Sequence, residues 1–215
     1  GALRSAVGPH GQDRAQFRLE DTRVIACQEY NHVSLGDTVA IIGDGPIGCL
    51  HIEVARARGA SKIIMSGLKR LDSVPRFNPD HIIDSAKQNP VEEVLKLTDG
   101  LGADIAICAA PVTAIQEQAV EMVRKRGRVV LFGGVNKNQP MTALNSNLIH
   151  YNEITITGAF SYPSTGLYNA VRFIAEGRIS AKKYVTKTVK LDEIPEGIAY
   201  AEQGKALRVA VLPWA

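Results

Sequence analysis

The sequence predicts an α/β fold built on a doubly wound parallel sheet. Three observations carry this. Short apolar runs without polar alternation recur, as at Val39-Ala40-Ile41-Ile42 and Ile63-Ile64-Met65, the pattern of strands covered on both faces. Between such runs, apolar residues fall at helical spacing, as Ile47, Leu50 and Val54 do. A glycine-rich loop, Gly43-Asp44-Gly45-Pro46-Ile47-Gly48, joins the first run to the first helical segment. Strands alternating with helices form βαβ units with right-handed crossovers.

The elements follow in order. Gly1–Gln16 shows neither period, and the first 30 residues read as irregular. Asp37–Ile42 is a strand between Gly36 and Gly43. Pro46–Arg58 is a helix: Pro46 suits the first turn and Gly59 stops it. Strands are expected at Lys62–Ser66, His81–Ile83, Asp104–Cys108, Arg128–Phe132 and Glu153–Thr157, and helices at Pro90–Leu97 and Thr113–Lys125, the latter with Ile115, Ala119, Met122 and Val123 inward. After Phe160 the rhythm changes. A helix over Leu167–Glu176, with Val171 and Ile174 inward, precedes a strand at Tyr184–Val189. A helix at Ile194–Glu202, capped by Asp192, and a strand at Leu207–Leu212 follow. The expected division is an N-terminal remnant (1–32), a dinucleotide-binding domain (33–161) and a C-terminal segment of a second domain (162–215).

Composition narrows the function classes. At 215 residues the chain holds one domain and part of another. With 45% hydrophobic and 22% charged residues it has enough apolar material for a core and too little charge for disorder. The net charge is only +3, without blocks of like charge, so neither nucleic acid nor a membrane surface is an expected partner. No run of about 18 apolar residues occurs, and Gly1–Glu20 has no apolar core for a signal peptide. Cys27, Cys49 and Cys108 lie far apart and form no CxxC pair. That excludes a disulfide framework and suits a cytoplasmic location.

The glycine loop is the strongest motif. Gly43 permits a tight turn off the strand, Gly45 lets the backbone approach a pyrophosphate, and Gly48 lets the helix pack close to the sheet. The helix N-terminus offers N–H groups to phosphates, and Pro46 and Ile47 stand beside it. A ligand-free glycine turn and a methyltransferase loop are the weaker readings.

The tip of the second strand selects the nucleotide. A carboxylate about 20 residues after the loop accepts from the ribose 2′-OH of NAD; the residue 19 after Gly48 is Gly67, not an acid. Without that charge a 2′-phosphate is not repelled, Ser66 can donate to it, and Lys69 and Arg70 supply positive charge. NADP is therefore expected over NAD, the alternative being that Lys69 and Arg70 are solvated surface charges. By the same reasoning, Gly67→Asp is expected to move the preference towards NAD.

These residues, with the blocks GLGADIAICAAP, RKRGRVVLFGGV, NEITITGAFSYP and GKALRVAVLP, resemble the medium-chain dehydrogenase/reductase family. The likeness is to its zinc-type alcohol, sorbitol and threonine dehydrogenase branch and runs from about Val33 to Pro213. It implies a Rossmann domain, hydride transfer between NAD(P) and an alcohol–carbonyl pair, and a homodimer or homotetramer, with pairing through the edge near Ile154–Thr157. It also implies roles for residues: Ile47 over the pyrophosphate, Arg70 at the adenosine ribose, and Ala109 and Ala110 lining the crevice. Phe132, Gly133, Gly134, Ala159 and Phe160 would lie near the nicotinamide, and Arg208 would reach back to the pyrophosphate. Core packing for the two phenylalanines and a surface position for Arg208 remain alternatives.

Zinc is expected of this branch, but its ligands are not found in the chain. Where the family often reads Glu-Pro-Leu-Ala-Cys, this chain reads Arg23-Val24-Ile25-Ala26-Cys27, and arginine there would repel a cation. Cys27, Glu29 and His32 are read as surface and boundary residues rather than a metal site, and His51 as a packed histidine. The chain is expected to be a fragment or to join separated stretches, its catalytic residues unidentified. A non-catalytic NAD(P)-binding module and a zinc-free quinone or enoyl reductase are the alternatives to a polyol-type dehydrogenase.

Overall fold

The computed structural model describes residues 19–160, 172–173, 175–180, 183–204 and 206–213. Six strands form its main sheet: β1 (Thr38–Ile42), β2 (Lys62–Gly67), β3 (His81–Asp84), β4 (Ala103–Cys108), β5 (Val123–Leu131) and β6 (Thr155–Gly158). Their order is β3-β2-β1-β4-β5-β6, and every pair is parallel. The order reverses between β1 and β4, which opens a crevice at their carboxyl ends. Register makes that crevice level. Ile42 pairs with Ser66 on one side and Cys108 on the other, so Gly43, Gly67 and Ala109 leave the sheet together.

The inner strands β1, β2 and β4 are apolar nearly throughout because both faces are covered. Val39, Ile41, Ile63, Met65, Ile105 and Ile107 point to one layer, against Leu50, Ile52 and Val54 of α2 (Pro46–Ala57). Ala40, Ile42, Ile64, Ala106 and Cys108 point to the other, against Val94 of α3 (Pro90–Leu97) and Ala119, Val120 and Met122 of α4 (Thr113–Met122). Each large side chain so buried contributes about 1.5–3 kcal/mol.

Four local expectations change. The first 30 residues are not all irregular: α1 (Leu19–Tyr30) is helical and buries Val24, Ile25, Ala26 and Cys27. That apolar run is contiguous rather than 3.6-spaced, so it shows no amphipathic period; packing against α2 selects the helix. Cys27 is accordingly a core residue, whereas Glu29 and His32 are exposed. Helix α4 stops at Met122, because Val123 pairs with Ala103 and begins β5. Gly102 permits this close crossing, since a Cβ there would stand 2.8 Å from the Arg124 nitrogen. Before β6 the chain forms an unanticipated helix, α5 (Ser146–Tyr151), whose cap Asn145 accepts the Leu148 N–H at 3.0 Å. A 3-10 helix at Leu71–Phe77 was likewise not anticipated.

In the C-terminal part, β7 (Val185–Lys190) and β8 (Arg208–Leu212) pair in parallel as a separate sheet. The helix between them, α6 (Ile194–Glu202), is preceded by Glu193 rather than Asp192 as its N-cap. The Glu193 side chain accepts the Lys190 N–H at 2.9 Å, making a local turn instead of a cap. Within the helix expected at Leu167–Glu176, residues 167–171 and 174 lie outside the described residues; Phe173 is buried.

Candidate dinucleotide site

The glycine loop has the geometry its sequence demands. Gly43 adopts φ +124°, open to glycine at little cost, and its N–H bonds the Ser66 carbonyl at 2.8 Å. Gly48 packs against Gly43 with no room for a Cβ, whereas a Cβ on Gly45 would meet nothing within 4 Å. Gly45 is also the N-cap of α2, no side chain caps that helix, Pro46 opens it, and its first turn carries no acid. An uncapped, acid-free helix start beside an open glycine fits a diphosphate. Beside it runs a cleft of about 520 Å³ lined by Gly43, Gly45, Ser66, Gly67, Lys69, Arg70, Ala109 and Ala110, among others.

The strand tip is not bare, which corrects one sequence expectation. Asp44 folds over it and is 7% exposed. Its Oδ2 accepts the N–H groups of Leu68, Lys69 and Arg70 at 2.9, 2.8 and 2.6 Å. A Cβ on Gly67 would collide with the Asp44 side chain, standing 2.6 Å from its Cγ. Gly67→Asp would therefore displace Asp44 rather than add a free ribose acceptor. The glycine motif assigns Asp44 no part. The available signal was chemical: an acid inside a phosphate loop repels the phosphate unless it is turned elsewhere. Ser66 is buried with an unpartnered hydroxyl, Lys69 is exposed and Arg70 half-buried.

A second pocket, about 650 Å³, shares Ala109 with the first and is lined also by Ile47, Phe132, Gly133, Gly134, Ala159 and Phe160. The sequence thus brought the expected crevice residues together. Phe132 serves the core as well: it is buried, with its ring edge-on to His51 at 4.8 Å. The N–H groups of Phe132 and Gly133 bond the Cys108 carbonyl at 3.2 and 2.8 Å, so they hold β5 to β4 rather than facing a ligand. Arg23 also lines this pocket, its guanidinium 5.1 Å from the Phe132 ring and 5.2 Å from the Phe160 ring. Sequence reasoning gave Arg23 only a repulsive part; residues 23 and 132 meet through α1, which it did not foresee. Arg208 stacks over the Tyr184 ring at 5.2 Å and lines a separate cavity with Pro46 and Ile47.

The ionisable groups behind the site are held neutral. Burial pushes His51 down to about 3, and its Nδ1 accepts from Gln28 Nε2 at 3.0 Å. It is the packed histidine the sequence suggested. Burial pushes Cys27, Cys49 and Cys108 up to about 12, far from the thiolate form that binds metals. Among the described residues no group of three or more His, Cys, Asp or Glu is placed to hold a metal ion. These residues do not fit a zinc site. Among them, too, no helix is long and apolar enough to cross a membrane.

An uncapped helix start, an open glycine and a crevice at the reversal of strand order belong to an α/β domain of the doubly wound class. Residues 46–176, more than half of the chain, match the family described as zinc-binding dehydrogenase. The chain belongs to that family, the zinc-type branch of medium-chain dehydrogenases. Over 182 residues it is 33% identical to sorbitol dehydrogenase of Bacillus subtilis, covering 83% of this chain and 51% of that protein. Scyllo-inosose 3-dehydrogenase of Thermotoga maritima is 31% identical over 80% of this chain and 45% of its own length. Among solved structures, 2R,3R-butanediol dehydrogenase from Bacillus subtilis superposes with a TM-score of 0.82 at 28% identity, over 91% of this chain and 56% of that one. The chain spans about half the length of the curated relatives it matches.

Proposed function

We propose that the protein is an oxidoreductase that moves a hydride between NAD(P) and an alcohol or polyol and its carbonyl partner. The observation that carries this reading is the uncapped start of α2 beside the open Gly45, with two cavities that meet at Ala109, one at the β2 tip and one at Phe132–Phe160. The relatives named above act, by their names, on sorbitol, scyllo-inosose and butanediol, which supports a small polar substrate. The coenzyme, when bound, supplies the hydride acceptor. The chain's own residues do the holding. The first-turn amides of α2 take the diphosphate, Ile47 and Ala109 wall the groove, and the backbone of Phe132–Gly134 with Ala159 and Phe160 closes the reacting end.

Ser66, Lys69 and Arg70 support NADP, the coenzyme the sequence favours; the Asp44 carboxylate among them weighs towards NAD. Zinc is expected of the family, but the described residues supply no ligand set for it. In this reading residues 33–161 form the dinucleotide-binding domain, and 1–32 and 162–215 serve the catalytic domain. Three free buried thiols support a cytoplasmic location. The place of β6 at the sheet edge supports a homodimer or homotetramer through that strand; light scattering on the eluted protein tests it, and a monomer counts against it.

Calorimetric titration with NAD and NADP, followed by a panel of alcohols and polyols, tests the main reading. Coenzyme binding with turnover supports an enzyme. Binding without turnover supports a nucleotide-binding module, and no binding defeats both.

A further inference from the structure

We infer that Asp44, carried by the phosphate loop itself, is the carboxylate that meets the adenosine ribose, and that it steers this chain to NAD over NADP. The inference rests on the reading that the groove binds a nicotinamide dinucleotide. It departs from the coenzyme preference drawn from Gly67, Lys69 and Arg70 alone.

Three successive backbone N–H groups that converge on one point form an anion-binding nest. In a strand tip without a side-chain acid, such a nest with flanking cations is suited to an added phosphate. Here the three donors, on Leu68, Lys69 and Arg70, already hold an anion, and it is internal: Asp44 Oδ2. The other carboxylate oxygen, Oδ1, receives none of these three bonds. The side chain fills the volume that a residue larger than glycine at 67 would need. Its carboxylate therefore stands where a side chain from the end of β2 would otherwise be, reached from the opposite wall of the cleft. Asp44 and Gly67 both line that cleft.

The consequences for the two coenzymes differ in sign. A ribose 2′-OH is a donor and gains a charge-assisted bond to a carboxylate. A 2′-phosphate meets like charge and finds the nest occupied. The Arg70 guanidinium offers limited relief, because it is turned towards Gly204, where a Cβ would lie 3.5 Å from Nη2. Ser66, with its buried unpartnered hydroxyl, serves either coenzyme and does not discriminate.

The test is calorimetric binding of NAD and NADP, without substrate, to the wild-type chain, Asp44→Ala and Asp44→Asn. The wild type is expected to bind NAD at least about tenfold more tightly than NADP, a difference of about 1.4 kcal/mol. In Asp44→Ala the nest and its volume open to a phosphate, and the NAD-to-NADP affinity ratio is expected to fall at least tenfold. Asp44→Asn keeps the side-chain volume and removes the charge; it decides the matter if the alanine variant melts below the assay temperature. A wild type without a tenfold NAD preference, or a ratio that moves less than tenfold in the folded variants, overturns the inference. Equal weakening of both coenzymes falls in that class and would make Asp44 a loop staple only. Failure of the wild type to bind either coenzyme overturns the dinucleotide reading along with it.

Discussion

Gly48 lies so close beneath Gly43 that a Cβ on it would overlap the Gly43 carbonyl oxygen, while a Cβ on Gly45, three residues earlier, would point into open space. One motif thus contains a packing glycine and a binding glycine. Gly48→Ala is expected to destabilise the fold by about 1–3 kcal/mol, as overpacking does. Gly45→Ala is expected to cost no more than about 1 kcal/mol, the difference between glycine and alanine as an N-cap, yet to weaken coenzyme binding. Urea denaturation and calorimetry on both variants separate the effects; a Gly48→Ala protein as stable as wild type would contradict the packing.

The C-terminal lobe is tied to α2 through one carboxylate. Glu53 accepts the Tyr184 hydroxyl at 2.6 Å and the Lys183 ammonium at 3.0 Å, with Glu53 and Tyr184 both buried. Tyr184→Phe leaves that buried carboxylate short of a donor, a loss of about 1–3 kcal/mol. The double variant with Glu53→Gln should lose less than the two single losses added, because both act on one bond. Strict additivity in urea melts would show that the bond contributes nothing.

Stability should fall in acid because of His51. Its folded value is lowered from 6.5 to about 3 by burial, so between those values the unfolded chain binds a proton that the folded chain does not. The contribution is fully present above pH 6.5 and is lost as pH falls towards 3, at up to about 1.4 kcal/mol per unit. His51→Gln carries no titrating ring, and its stability should vary less over pH 6.5–4. Parallel curves for the two proteins by chemical denaturation would remove His51 as the cause.

All three cysteines should resist alkylation while the chain is folded. Burial pushes Cys27, Cys49 and Cys108 to about 12, and the carboxylates of Asp44 and Glu53 add to the effect at Cys49. At pH 8, about four units below that value, the thiolate is then about one part in ten thousand. Mass spectrometry after brief iodoacetamide treatment should find no adduct without urea and three with it. A rapid adduct on any one thiol in native buffer would contradict its burial.

Much of the fold was legible because its signals are local. The loop at 43–48, the helix start at Pro46 and the apolar runs of β1, β2 and β4 each announce themselves within a few residues, whereas the crevice residues Ala109, Ala110, Gly133 and Gly134 came with the family resemblance. The errors fall where a distant partner decides. Helix α1 exists because Val24, Ile25 and Cys27 have α2 to bury against, and α4 ends early because Val123 pairs with Ala103. Arg23 joins the Phe132 pocket for the same reason.

The amino-acid order alone determined that this chain makes a parallel doubly wound sheet with a phosphate loop between its first strand and helix, since periodicity and glycine spacing are properties of neighbouring residues. Only the tertiary structure decided what occupies the end of the second strand. Asp44 and Gly67 stand 23 positions apart in sequence and come together through the register of β1 on β2. That register turned an apparent vacancy into a carboxylate held by three amides.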